Sequence, residues 1–423
     1  MNNSTRQVLL ALYIAALAFF AYICVFAFRK PFTVATFPGE SIGGITYQTS
    51  LIISQVIGYM LSKFVGIRFI SGLKRTGRWL TALVLVGTAW FSLFLFAILP
   101  LWAGIICFFV NGFMLGFMWG VVFSFAEGRR STDFIGSVLA VSFVFAGGFT
   151  RSVAKWLMTD MGVTDKWMPF MTGLVFAIPL VFFFFLLERA PHPDSADVDE
   201  RAERVSMSGH DRKQIISKFG AGLITISVIY TLLTVMRDIR DNYMGNMWAE
   251  LGYQDSASVF TRSETRITLI ILAIMSLIVL IRKNFAAFRV IHFIILAGFV
   301  LAGTASLLFV FYGLEGSIWM QATGLGLYMA YIPFNAIFFE RMIAAFRLRG
   351  NVGFLIYITD AFGYLGSVMV MLFKESMKFD IKWTVYFSNV VMLLSVVGVV
   401  GTVYAFFYFN RKHKFLFRTN EQS

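Results

Sequence analysis

The chain has 423 residues, of which 58% are hydrophobic and only 14% are charged. Apolar runs of roughly 20 residues recur along its length, and this is the length that crosses a bilayer as a helix, so a soluble fold is excluded. The formal net charge of +13 would suggest nucleic acid as the partner of a soluble protein. In a membrane protein, basic loops that set the orientation explain such a charge better.

The continuous apolar runs predict α-helices that span the membrane, because strands of a barrel would be shorter and alternate in polarity. We predict about twelve spans. They lie near residues 9–36, 47–69, 79–99, 101–125, 134–157, 168–187, 216–244, 266–282, 290–312, 316–339, 351–373 and 383–409. The fold class predicted is therefore an all-α membrane protein.

One long polar segment, 188–215, contains mixed charges and two prolines and reads as a cytoplasmic linker. It divides the spans into an N-terminal six-helix bundle at 1–187 and a C-terminal six-helix bundle with a cytoplasmic tail at 216–423. Two bundles of this kind are typical of transporters of the major facilitator fold, which enclose a site at the midplane.

Basic residues concentrate in the loops of one side, which the positive-inside rule assigns to the cytoplasm. They are Arg6, Lys74, Arg75, Arg78, Arg129, Arg130, Arg282, Lys283, Arg289, Arg341, Arg347, Arg349, Arg411, Lys412 and Lys414. Because the number of spans is even, both termini are predicted to be cytoplasmic, in a bacterial-type inner membrane.

Other classes of function find no support in the sequence. Cys24 and Cys107 each lie within an apolar span and are predicted to be small buried hydrophobes. The four histidines lack the spacing of metal ligands, and no polar segment contains a phosphate-binding loop for ATP. We therefore expect no enzyme, no metal, no cofactor and no nucleic-acid partner.

Charged residues inside the spans are few, and each costs about 2.5–3.5 kcal/mol on insertion scales, so such residues usually face a cavity or a partner. Those that we single out are Arg29, Lys30, Lys63, Arg237, Arg240 and Asp360. Arg29 and Arg237 lie in the first and seventh spans, which are equivalent helices of the two halves. We expect them to face a shared cavity and to bind one anion from two sides.

Two alternative interpretations of these charged residues do not involve substrate binding. Arg29 and Lys30 could mark the interfacial end of a shorter first helix that Pro31 breaks, with their side chains reaching the headgroups. The segment from Arg237 to Asp241 could be an internally neutralised cluster at a helix end, in which Asp238 and Asp241 pair with the arginines.

Several segments resemble the organophosphate:phosphate antiporters of the major facilitator superfamily, which include the glycerol-phosphate and hexose-phosphate transporters. The first span is similar to the family's first helix in its tyrosine, Arg29-Lys30 and following phenylalanine. Ser62-Lys63-Phe64 looks like the family's second-helix motif, and the segment 362–366, Phe-Gly-Tyr-Leu-Gly, looks like its eleventh-helix motif.

The resemblance implies that Arg29 binds the substrate phosphate and that Lys30 and Lys63 line the anion path. It implies that Arg237, or Arg240 in an alternative register, is the second phosphate ligand. Asp238, Asp241 and Asp360 are acids where the resemblance leads us to expect neutral residues, so we assign them to coupling or charge pairing.

The function we expect is secondary active transport of a small organic anion, a phosphorylated or carboxylated metabolite, by alternating access. An alternative is a proton-coupled carrier of a neutral sugar, peptide or drug, with Asp360 as the protonation site. Another is a transporter-like receptor that binds a ligand without moving it. We expect a monomer that contacts membrane lipid and a small anionic substrate.

Overall fold

The protein is described here from a computed structural model, which describes residues 3–71, 77–126, 129, 131–191, 209–346, 352–376 and 382–418. Most of these residues are helical, because backbone groups inside a bilayer must be hydrogen-bonded within the chain. A short antiparallel hairpin follows the first helix, with β1 (Ser41–Ile42) paired to β2 (Ile45–Thr46) so that Ser41 opposes Thr46.

The helices before the linker carry the labels α1 to α7. They are α1 (Asn3–Ala27), α2 (Tyr47–Ser71), α3 (Arg78–Ile98), α4 (Leu101–Gly116), α5 (Met118–Ala126), α6 (Thr132–Thr159) and α7 (Met168–Glu188). A 3₁₀ turn, Pro31–Val34, follows α1. α4 and α5 are separated at Phe117, so the predicted span at 101–125 is two consecutive helices.

The helices after the linker carry the labels α8 to α14. They are α8 (Gly209–Glu250), α9 (Ser258–Val279), α10 (Asn284–Tyr312), α11 (Gly316–Pro333), α12 (Phe339–Ala345), α13 (Val352–Ser376) and α14 (Trp383–Arg418). A π-helical turn, Phe334–Phe338, joins α11 to α12 directly after Pro333. Proline lacks the N–H that would continue the α-helical pattern, which explains an irregular turn at this place.

Ten helices in the described part of the chain are long and apolar enough to span a membrane. The predicted eighth span, 266–282, corresponds to α9, which carries Arg262, Glu264 and Arg266 in its first half and is therefore less apolar. The predicted eleventh span, 351–373, corresponds to α13, and the side chains of 352–358 lie outside the described residues.

Two predicted boundaries need correction. The first span was expected at 9–36, but α1 ends at Ala27, because Pro31 cannot continue it and the chain turns instead. The seventh span was expected to end near residue 244, but α8 continues to Glu250 with a kink at Tyr243 (φ −114°, ψ 17°). The segment 237–241 consequently lies within a helix and not at its end.

The chain divides into two compact units. The first unit comprises Met1–Arg201, Ile239–Leu272 and Val368–Trp383, and the second comprises Ala202–Asp238, Ala273–Ser367 and Thr384–Ser423. The predicted bundles at 1–187 and 216–423 stay a prediction, and residues 192–208 of the predicted linker lie outside the described residues.

A cluster of buried apolar residues in the first unit surrounds α1. It brings buried residues of α1 and the following Phe28 together with side chains of α3, α4, α5, α6 and α7. Cys24 is one of its members, and both Cys24 and Cys107 are buried. Close packing of this kind, more than exclusion of water, holds helices together inside a bilayer, and it fixes the end of α1 where Arg29 follows.

Candidate functional site

Arg29 and Lys30 lie in the turn between α1 and the 3₁₀ turn of the first unit. Their backbone N–H groups both donate to the carbonyl oxygen of Phe26, each at 3.0 Å. Phe28 and Phe32 on either side of the pair are buried. The bend therefore sets two cations into an otherwise apolar part of the chain.

Arg29 and Lys63 share one aromatic partner. The Cζ of Arg29 lies 3.7 Å from the centre of the Tyr59 ring, and the Nζ of Lys63 lies 4.8 Å from it. Tyr59 and Lys63 are four residues apart on α2, a spacing that places both on one face of a helix. A cation over an aromatic face is attracted by the ring quadrupole and keeps its charge.

Two buried amide side chains hold the bend that carries Arg29. The Nε2 of Gln55 donates to the carbonyl oxygen of Arg29 at 3.0 Å and to the Oδ1 of Asn111 at 2.8 Å. The Nδ2 of Asn111 donates to the carbonyl oxygens of Phe28 at 3.0 Å and Ala89 at 3.1 Å. These bonds satisfy carbonyl groups that the end of α1 leaves open, and they restrict the direction of the Arg29 side chain.

Lys30 points elsewhere. It is 4% exposed, and its Nζ donates to the Oδ1 of Asn242 at 2.6 Å. One turn further along α8, Asn246 lies 3.1 Å from the Nε2 of Gln48, which also donates to the carbonyl oxygen of Ala35 at 3.0 Å. The interfacial alternative does not describe Lys30, whose charge is buried and hydrogen-bonded.

Arg151, which is not among the predicted site residues, is fully buried and lies in the second half of the predicted fifth span. Its guanidinium donates to the carbonyl oxygen of Gly147 at 2.8 Å, to the Oγ1 of Thr33 at 3.0 Å and to the carbonyl oxygen of Asp241. The test that found the other cations, a charge inside an apolar span, would also have found this one.

Arg240 forms a buried ion pair with Glu264, an acid that the sequence analysis also missed. The Nη2 of Arg240 lies 2.7 Å from the Oε1 of Glu264, and each side chain is 1% exposed. A Cβ on Gly148 of α6 would lie 2.6 Å from the Cβ of Glu264 and 2.6 Å from the carbonyl oxygen of Phe260. Only glycine therefore allows α6 and α9 to approach this closely.

Arg237 belongs to the second unit and is paired there with its sequence neighbour. Its Nη2 lies 2.5 Å from the Oδ1 of Asp238. Its Nη1 donates to the hydroxyl of Tyr331, and its Cζ lies 4.4 Å from the centre of that ring. Arg237 is therefore paired with a carboxylate of its own helix, whereas Arg240 pairs with Glu264 of another helix.

Asp360 belongs to the same network of the second unit. The hydroxyl of Tyr230 donates to the Oδ1 of Asp360, and it also lies 3.3 Å from the hydroxyl of Tyr331 and 3.2 Å from the Oδ1 of Asn335. Asp238, Arg237, Tyr331, Tyr230 and Asp360 thus form one hydrogen-bonded chain. Tyrosine carries no charge, so the pattern of charged residues in the sequence could not have indicated Tyr230 and Tyr331.

The glycines of segment 362–366 place α13 against α8. A Cβ on Gly363 would lie 2.8 Å from atoms of the Thr234 side chain, and one on Gly366 would lie 3.1 Å from methyl groups of Thr231 and Val235. These glycines bring Asp360, on the preceding turn of α13, within reach of Tyr230.

The structure thus sorts the predicted site residues into three local groups. Arg29 and Lys63 share Tyr59; Lys30, Arg240 and Asp241 lie with Asn242, Glu264 and Arg151; Arg237, Asp238 and Asp360 lie in the tyrosine network. A shared cavity for Arg29 and Arg237 stays a prediction. Among the described residues, no group of three or more His, Cys, Asp or Glu side chains could hold a metal ion.

This arrangement of helices is that of an integral membrane protein with a transporter fold. A point variant of the nucleoside transporter NupG matches with a TM-score of 0.62 at 16% identity, over 94% of this chain and 99% of that one. Unmodified NupG matches with a TM-score of 0.59 at 16% identity, over 94% of this chain and 98% of that one. A bacterial homologue of the human lysosomal transporter Spinster, in an inward-facing and unoccupied conformation, matches with a TM-score of 0.58 at 11% identity. The match covers 96% of this chain and 97% of that one.

The likeness confirms the predicted fold class, an all-α membrane protein of the major facilitator fold. These neighbours are transporters and not enzymes, in agreement with the class that the sequence predicts. The chain belongs to the family of unknown function DUF5690, whose model matches residues 31–412. No curated protein matches the chain in sequence. The resemblance to organophosphate:phosphate antiporters is supported at the level of the fold alone.

Proposed function

We propose that the protein is a secondary transporter that moves a small organic anion by alternating access. The observation that carries this proposal is the pair of cations at one aromatic ring, Arg29 at 3.7 Å and Lys63 at 4.8 Å from the centre of Tyr59. Arg29 and Lys63 are both partly buried; like charges held close together repel each other, and an anion between them relieves the repulsion.

The chemistry of the two cations suits a phosphate or carboxylate. The guanidinium of Arg29 offers two parallel N–H donors to an oxyanion, and the ammonium of Lys63 adds a point charge with three donors. The support of Arg29 by Gln55 and Asn111 lowers the freedom that binding would otherwise remove. The resemblance of these residues to the organophosphate:phosphate antiporters favours the same class of substrate.

In this proposal, Arg237 contributes less to anion binding than Arg29 does. A guanidinium already bound to Asp238 at 2.5 Å would have to leave that carboxylate before it could bind an anion with its full charge. Arg240 is paired with Glu264 and would likewise have to leave a carboxylate before it could bind an anion. Arg29 is therefore the principal ligand we assign, with Lys63 beside it and Lys30 as a hydrogen-bonded neighbour.

A neutral solute is the second candidate cargo. It is favoured by the pairing of Arg237 with Asp238 and of Arg240 with Glu264, which removes positive charge. It is also favoured by the likeness to NupG, a nucleoside transporter. In that case Arg29 and Lys63 would be structural cations, and the hydroxyl and amide groups of the tyrosine network would bind the solute.

An uptake screen in proteoliposomes separates these candidates. The compounds are inorganic phosphate, glycerol phosphate, sugar phosphates, dicarboxylates, and uncharged nucleosides and sugars, each with and without a pH gradient. We expect uptake of at least one anion, and we expect Arg29→Gln to reduce it by about 100-fold, the loss of two charge-assisted hydrogen bonds. Arg6→Gln removes an exposed cation of α1, the helix that precedes Arg29, and serves as the matched control.

Uptake of an uncharged compound that Arg29→Gln leaves unchanged would replace the anion proposal with the second candidate. Specific binding of a compound without any uptake would identify a receptor.

We further propose a bacterial inner membrane with both termini in the cytoplasm, which the basic loops support. Labelling of single cysteines from either side tests this orientation. For example, cysteine at Arg282 should react only from the cytoplasmic side, and cysteine at Gly313 only from the opposite side.

A further inference from the structure

The tyrosine network of the second unit contains two carboxylates and one guanidinium. Asp238 and Asp360 are 3% and 6% exposed, and Arg237 lies against Asp238. The charged and titratable groups of this network are Tyr230, Arg237 and Asp238 on α8, Tyr331 on α11, and Asp360 and Tyr364 on α13. Within this network two buried carboxylates share one guanidinium, and a proton on one of them would balance the second negative charge.

The hydrogen bonds distinguish the two carboxylates. Asp238 receives two donated bonds from the guanidinium of Arg237, from Nε at 3.1 Å and from Nη2 at 2.5 Å, which favour its charged form. Asp360 has the uncharged hydroxyl of Tyr230 as its hydrogen-bond donor among the described residues. A neutral donor stabilises a carboxylate less than a guanidinium does, so Asp360 has the weaker hydrogen-bond support of the two carboxylates.

Tyr230 faces more acceptors than it has protons. Its single hydroxyl proton can go to the Oδ1 of Asp360 or to the Oδ1 of Asn335. Tyr331 does not need it, because Tyr331 accepts from Arg237 and can turn its own proton towards the oxygen of Tyr230, 3.3 Å away. With an ionised Asp360, Tyr230 donates to Asp360 and leaves Asn335 without this donor.

A proton on Asp360 resolves the conflict. Asp360 then donates its own O–H to the oxygen of Tyr230, and the proton of Tyr230 turns to Asn335. Both arrangements use the same heavy-atom positions and differ by one proton, which is taken from water and returned to water. Asn335 lies in the π-helical turn Phe334–Phe338, a type of irregularity that is frequent at functional sites.

We propose that Asp360 is a proton-binding site of the transport cycle, and that Tyr230 is its positioning residue, which switches one hydrogen bond between Asp360 and Asn335. This proposal goes beyond the choice of cargo, since a proton can accompany an anion or a neutral solute. Two buried tyrosines and a guanidinium make the site a fixed hydrogen-bond chain and not an isolated carboxylate.

Infrared difference spectra of proteoliposomes between acidic and alkaline pH test the site without any substrate. A buried protonated carboxyl gives a carbonyl stretching band apart from that of carboxylates in water. We expect this band in the unmodified protein, its loss in Asp360→Asn, and a changed frequency in Tyr230→Phe, which removes the hydrogen-bond partner. Asp160→Asn, which removes an exposed carboxylate, should leave the band unchanged.

An unchanged band in Asp360→Asn would overturn the proposal, as would a band that responds to sodium and not to pH, since that identifies a cation site. If Asp360→Asn elutes as aggregate, Tyr230→Phe and Asp360→Glu carry the test. The infrared test and the uptake screen are independent. The carboxyl band can be absent while an anion is transported, and the band can be present while no anion is transported.

With a compound from the uptake screen, Asp360→Asn should abolish accumulation driven by a pH gradient and preserve counterflow exchange. Accumulation at the unmodified level would remove Asp360 from coupling.

Discussion

Arg29 in the first unit and Arg237 in the second are the same residue type at equivalent places in the predicted halves, and their surroundings differ. Arg29 lies on the ring of Tyr59, whereas Arg237 lies against the carboxylate of Asp238. A ring attracts a cation without cancelling its charge, and a carboxylate cancels it. In the two proposals above, these equivalent positions carry different tasks, anion binding in the first unit and proton binding in the second.

The largest effect should be a loss of stability when the buried ion pair of Arg240 and Glu264 is broken. Neither proposal assigns this pair to anion or proton binding. Removing one partner of Arg240 and Glu264 leaves a buried charge without compensation, which costs about 3–5 kcal/mol. We expect Arg240→Leu to lower the melting temperature in detergent sharply and to reduce the yield of monodisperse protein. The double variant Arg240→Leu/Glu264→Leu should recover most of that loss, because it removes both charges.

A melting temperature that Arg240→Leu leaves unchanged would mean that Glu264 finds another cation. Arg151, which donates to the carbonyl oxygen of the neighbouring Asp241, would then be the first to examine.

A smaller effect should separate Arg29 from Arg237 directly. Lysine keeps the charge and loses the two parallel donors, so Arg29→Lys should lower the kcat/KM of anion uptake by about 10–100-fold, the worth of a charge-assisted hydrogen bond. Arg237→Lys should change uptake by roughly 3-fold at most, because an ammonium can still pair with Asp238. Uptake rates in proteoliposomes measure both.

Equal losses in the two lysine variants would contradict the division of tasks and would favour a clamp of both arginines on one anion. An unaffected Arg29→Lys would make Arg29 a purely electrostatic residue.

The smallest effect should come from the ring itself. Tyr59→Leu removes the aromatic face under Arg29 and Lys63, an interaction worth about 0.5–2 kcal/mol, and should raise the KM for the anion several-fold. Tyr59→Phe keeps the ring and should leave the KM near that of the unmodified protein. A loss in Tyr59→Phe equal to that in Tyr59→Leu would assign the effect to the hydroxyl.

The spans and the ends of the helices follow from the sequence to different degrees. Apolar runs indicate the helices because hydrophobic length is a local property. A shorter first helix broken by Pro31 was only an alternative to the span 9–36, because the apolar residues Phe32 and Val34 continue beyond the end of α1 at Ala27. Apolar composition shows that a segment is buried, and it does not show that the segment is helical.

The partners of the charged residues were predictable only where they are neighbours in sequence. Asp238 follows Arg237 directly, and their pairing was among the alternatives. Glu264 lies 24 residues from Arg240, and Tyr230 lies 130 residues from Asp360. Such pairs depend on which faces of two helices meet, and that is decided by the packing of the whole unit.

The π-helical turn at Phe334–Phe338 has a consequence for the sequence spacing of buried positions on either side of it. Such a turn contains one residue more than an α-helical turn and takes up that residue locally. The buried positions of α12 are therefore offset by one residue from the spacing that an uninterrupted α-helix would show. Deleting one residue of the turn should restore α-helical hydrogen bonding there and leave Phe339 and Met342, which are buried, in the core.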